Sequence, residues 1–116
     1  MIRRSWRTRL KASVTPEAVL TVVSQFLEEW SPPEIADLPE GAWPRPLVSK
    51  SDVVAHALKL GNMHAVYSGP ANRLGGLQEM LLFFTHAAVR IAHLAAIASL
   101  EEIPAPRVNR VADEES

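Results

Sequence analysis

Thirty consecutive residues, Leu74 to Ile103, contain no proline, and between positions 81 and 100 the only formal charge is Arg90. Such a run reads as one long helix, apolar enough that its surroundings decide the fold. Twenty apolar residues also suffice to span a bilayer. The detail argues against that use: Arg90 sits mid-run, where insertion costs about 2.5–3.5 kcal/mol, and His86, His93 and the many alanines make the segment weakly lipophilic. A membrane is therefore not the expected partner. The expectation is a central helix covered over most of its circumference by protein.

The other elements follow from where the prolines fall. A helix is predicted over about 15–30, with Thr15 as N-cap, Pro16 in the first helical position and Glu17 complementing the dipole. Val19, Val23, Phe26, Leu27 and Trp30 form its apolar stripe, with Thr21, Ser24, Gln25, Glu28 and Glu29 facing away. Ser31-Pro32-Pro33 ends it. Five prolines between 31 and 48 forbid a continuous helix or a central strand there, while Ile35, Leu38, Trp43 and Leu47 give the segment apolar anchors. It is expected to be a crossing loop lying against the helices. A further helix starts after Ser49, where Ser49 and Asp52 have capping-box spacing. Its buried side is read as Val53, Val54, Ala57 and Leu58, continuing to Met63 and Val66, with Gly61-Asn62 ending or bending it. Ser68-Gly69-Pro70 is the firmer stop.

The fold class expected is all-α: a small bundle of three helices, or four, with a long central C-terminal helix and a proline-rich crossing loop. One core is what 116 residues support. The expected division is a basic N-terminal arm over 1–14, a helical domain over 15–103 and a disordered acidic tail over 104–116. With 47% hydrophobic and 22% charged residues the body is ordinary globular sequence. The absence of cysteine removes disulfides and thiol chemistry, and favours the cytoplasm.

A net charge of −1 conceals a polarised chain. Residues 1–11 carry Arg3, Arg4, Arg7, Arg9 and Lys11 with no acid, and the tail carries Asp113, Glu114 and Glu115. The arginines of the arm suit bidentate phosphate contacts and Trp6 among them suits base stacking, so Arg3, Arg4, Trp6, Arg7, Arg9 and Lys11 are candidate nucleic-acid contacts. The arm also alternates like a strand, with Ile2, Trp6, Leu10 and Val14 on one side. Docking on an acidic partner or on the tail is the competing use. A transit-type composition without an apolar h-region is the third.

On the long helix, Glu79, His86, Arg90, His93 and Glu101 share a face, making His86, Arg90 and His93 a candidate polar site. Leu77, Leu81, Phe84, Ala88, Ala92 and Ala95 lie opposite, small enough to admit a neighbouring helix, and form the candidate interface. The histidine pairs 56/64 and 86/93 are spaced two turns apart, about 10–12 Å, too far for one ion, so no metal and no other cofactor is expected. Phosphate-loop and nucleophile-elbow motifs are absent, so no catalytic residue is named. The leading expectation is a non-enzymatic small subunit or adaptor that self-associates or joins a protein partner through the long helix. The alternative is a nucleic-acid-contacting small subunit of a nucleoprotein. In general build it resembles the small helical subunits of CRISPR effector complexes, though no motif in this chain belongs to them. An enzyme using the His/Arg face ranks third.

Overall fold

The computed structural model describes residues 6–47 and 49–101. They form five helices in the order α1 Trp6–Ala12, α2 Pro16–Glu28, α3 Pro32–Ala36, α4 Lys50–Val66 and α5 Ala71–Glu101, with no strand among the described residues. The fold is the all-α bundle expected, with a long C-terminal helix at its centre. Ile103, Arg3, Arg4 and the acidic tail over 104–116 lie outside the described residues.

Helix starts follow local chemistry. Thr15 accepts from the Ala18 amide at 3.1 Å, with Pro16 behind it where no N–H is needed. Ser49 and Asp52 form the reciprocal box, the Ser49 amide donating to Asp52 at 3.0 Å and the Asp52 amide to Ser49 Oγ at 3.4 Å. The crossing segment holds a helix that its prolines had argued against. Ser31 caps α3, Pro32 and Pro33 occupy the first turn, and Glu34 returns to the Ser31 amide at 2.8 Å. Prolines forbid a helix interior, but in the first turn they remove only donors that have no partner anyway. Gly61 does not end α4, which runs on to Val66.

The core is assembled from rings. Phe26 of α2 and Phe83 of α5 stack at 3.8 Å with planes 5° apart. Trp30 continues from Phe26 at 6.0 Å, and Trp43 of the crossing segment from Trp30 at 6.1 Å. On the other side Phe84 stands edge-on to Phe83, and His56 of α4 edge-on to Phe84 at 4.9 Å. Around these rings Val19, Val23, Val53, Leu60, Leu77 and Met80 are fully buried. Each such side chain contributes about 1.5–3 kcal/mol.

α4 and α5 make the most extensive contact in the bundle, as an antiparallel hairpin. α4 is therefore the neighbour on the small-residue face of α5, and the side of α4 that it uses differs from the one expected. Val53, His56 and Leu60 are buried, whereas Val54, Leu58 and Val66 are exposed. His56 is polar yet takes a core place because its Nε2 donates to the Ala42 carbonyl at 2.9 Å, tying the crossing segment to the hairpin.

Two predictions test this packing. In α5, a Cβ at Gly75 would meet nothing within 4 Å, while one at Gly76 would lie 2.9 Å from Leu38 Cδ2. Gly75→Ala should raise stability by about 0.5–1 kcal/mol by thermal denaturation, and Gly76→Ala should fall short of that gain or lose stability. Burial pushes the His56 imidazole below its usual value of 6.5, with Lys59 adding to the shift and the Ala42 bond opposing it. Because the unfolded chain then binds the proton more readily, stability is held above about pH 6.5 and lost as pH falls toward the folded value. His56→Gln should flatten that loss in melts taken between pH 7 and pH 5.

Candidate functional site

α1 has three faces with different fates. Trp6 and Leu10, one turn apart, point inward: Leu10 is buried, and the Trp6 ring meets Phe26 at 6.1 Å and Phe83 at 5.1 Å, both edge-on. Arg9 turns toward α2, where Nη1 donates to Gln25 Oε1 at 2.7 Å and Nη2 pairs with Glu29 at 3.3 Å. Arg7 and Lys11 turn the opposite way and are exposed. The strand suggested by alternation is a helix over Trp6–Ala12; of the four residues read as one side, Trp6 and Leu10 point inward, Val14 is exposed beyond the helix end, and Ile2 lies outside the described residues.

Arg90 secures the end of α1 from across the molecule. Its Nε and Nη2 donate to the Ser13 carbonyl at 3.0 and 2.7 Å, while Ser13 Oγ donates to the Arg9 carbonyl at 2.8 Å. A guanidinium at the C-terminal end of a helix complements both its free carbonyls and its dipole. Two of the five Arg90 donors are used this way.

With α1 held there, Arg7, Leu10 and Lys11 face His86, Val89, Arg90 and His93 across a groove of about 430 Å³. The arm and the polar face of α5, two separate candidates in the sequence, thus form one site. Its walls carry three formal cations and two histidines over a floor of Leu10 and Val89. None of the lining residues is an acid. His86 lies edge-on to Trp6 at 5.6 Å, and its Nδ1 donates to the Leu82 carbonyl at 2.7 Å, which leaves Nε2 as the ring nitrogen directed elsewhere. The lining also contains no serine, threonine or tyrosine to pair with a histidine as nucleophile. Among the described residues no three of His, Asp and Glu converge to hold a metal.

Of the six candidate nucleic-acid residues, Trp6 and Arg9 are engaged within the chain, Arg3 and Arg4 lie outside the described residues, and Arg7 and Lys11 face the groove. The candidate interface also divides. Leu77 and Phe84 are fully buried in the chain's own core, a correction to their reading as interface residues, because α4 covers that face. Leu81 and Ala88 are half-buried, and Ala92 and Ala95 are exposed.

The surface that sequence reasoning missed is the outward side of α5, directly opposite the buried arc. Leu82, Val89 and Leu100 are 51%, 63% and 67% exposed. The signal was available in their spacing: Leu82, His86, Val89, His93, Ala96 and Leu100 advance by alternating steps of four and three. Residues 95–101 are all exposed. By length and composition α5 is able to cross a membrane, and only 28% of its most apolar stretch is buried.

The account of α1 predicts that Arg90→Met, which keeps the aliphatic stem but removes the donors, costs about 1.5–3 kcal/mol by denaturant unfolding, since the buried Ser13 carbonyl loses a charged partner. Compared with protein-family models, curated proteins and solved structures, the chain matches none.

Proposed function

We propose that the protein is a non-enzymatic helical subunit that assembles through the outward face of α5, in the cytoplasm as a chain without cysteine. The observation that carries this reading is the exposed apolar stripe of Leu82, Val89 and Leu100 on a helix whose opposite face is already satisfied by the core. A surface helix of a free-standing bundle presents polar residues there, and contiguous exposed apolar surface marks a contact. Covering each of these side chains, half to two-thirds exposed, is worth about 1–2 kcal/mol before the cost of association is subtracted. A shallow depression of about 390 Å³ between α4 and α5, lined in part by Val54, Leu58 and Ala95, extends the apolar surface around the same helix.

A membrane is a poorer partner for α5. Phe83, Phe84, Met80 and Ala87 are fully buried against the other helices, and Arg90 is bonded to Ser13, so crossing a bilayer would require stripping the core from the helix. The nucleic-acid alternative retains Arg7, Lys11 and the histidines of the groove. It loses Trp6 as a stacking platform and Arg9 as a phosphate contact, both engaged internally.

Light scattering and affinity capture on the full chain test the assembly. Wild-type protein should either exceed its monomer mass of 12.8 kDa or retain a specific partner. Val89→Glu/Leu100→Glu should abolish that behaviour with the helical circular dichroism unchanged. A monodisperse monomer that retains no partner would contradict the proposal.

A further inference from the structure

We infer that the partner seated on α5 is an amphipathic helix of another polypeptide, apolar along a four-three stripe and acidic along one flank. This rests on the assembly reading and adds the chemistry of the occupant. Three features of the surface lead to it.

The first is length and period. From Leu82 to Leu100 the exposed stripe spans nineteen residues, about 27 Å along the axis, far beyond what a small ligand covers. With His86 and His93 at two of its six positions, beside Leu82, Val89, Ala96 and Leu100, the stripe advances by the alternating steps of four and three that two packed helices share. A helix of the same period could follow it for five turns.

The second is charge. One side of the stripe is bordered by α1, which places Arg7 and Lys11 beside His86, Val89 and His93 in the groove, with Arg90 behind them. Among the described residues no acid lines this groove, and α5 itself carries no carboxylate between Glu79 and Glu101. Arg7 and Lys11 are one helical turn apart, so carboxylates at a spacing of three or four on the partner's flank face both. Charge of one sign bordering an apolar seam selects the orientation and identity of the helix that binds.

The third concerns the competing occupants. A second copy of this chain, laid along α5, offers His86 and His93 where a carboxylate is wanted and sets one pair of α1 cations against another. A nucleic acid would use the cations but has no use for Leu82, Val89 and Leu100, and the one aromatic ring of α1 is edge-on in the core. A phosphate backbone is satisfied by a wet, charged groove. The apolar floor here asks for a side chain.

The test uses the full chain and two fluorescent helical peptides of about 21 residues, with leucines on a four-three stripe and either Glu or Lys along both flanks. At about 50 mM salt the Glu peptide should bind at least about tenfold more tightly than the Lys peptide, and the difference should shrink as salt rises. Arg7→Glu/Lys11→Glu, at two exposed positions, should reverse the preference. Val89→Glu should abolish binding of the Glu peptide. If both peptides bind equally and Val89→Glu abolishes both, the acidic partner is overturned while assembly through α5 stands. If the Glu peptide binds but Val89→Glu leaves it bound, the seam itself is wrong. Displacement of the Glu peptide by oligothymidylate that also binds the Val89→Glu variant would assign the groove to nucleic acid. Failure of the Glu peptide to bind at all would overturn the inference.

Discussion

The stack of Phe26 on Phe83 is the contact on which the other elements depend. It joins α2 to α5 at the centre of the molecule, and every remaining element reaches it within two rings: α1 through Trp6, the crossing segment through Trp43 and Trp30, and α4 through His56 and Phe84. Aromatic pairs are worth about 0.5–1.5 kcal/mol beyond the area they bury. The geometric consequence matters more than the sum. Rings packed edge to face fix rotation as well as distance, so the helix that carries Trp6 can present only one flank to α5.

That fixed rotation sorts the charges of α1. With Trp6 and Leu10 inward, Arg9 falls beside Gln25 and Glu29, where it makes a pair about one-third exposed and of small energetic value, and Arg7 and Lys11 fall beside the histidines of α5. Arg90 then anchors the far end of α1 through the Ser13 carbonyl. A basic arm that looked independent of the body is, over Trp6–Ala12, part of the bundle, and Arg7 and Lys11 border an apolar stripe that the other described helices do not cover. The functional reading comes from this juxtaposition.

Much of the fold was legible because it is written locally. The Thr15 and Ser49 caps, the proline positions and the stripe of α2 specify their helices through contacts within four residues. What was not legible depended on the neighbour. Val54 and Leu58 are apolar enough to have been the buried side of α4; the packing of His56 against Phe84, 28 positions on, and its bond to Ala42, 14 positions back, turn Val53 and Leu60 inward instead. Leu77 and Phe84 carry no mark that distinguishes an internal neighbour from an external one. The helix in the crossing segment was hidden by counting its prolines without regard to position, since Ser31, Pro32 and Glu34 together are a helix start. The groove required two segments seventy-odd residues apart, which no periodicity within either could place side by side.

The central claim is that α1 is docked on the aromatic core and thereby borders the exposed face of α5. Amide hydrogen exchange on wild-type protein and on Trp6→Ala measures this directly, because exchange reports the opening of each element separately. The structure predicts that in the wild type the amides in the last turn of α1 are protected, and that Trp6→Ala removes that protection while α4 and the N-terminal half of α5 keep theirs. An unprotected α1 in the wild type, or an α1 whose protection is unchanged by Trp6→Ala, would contradict it.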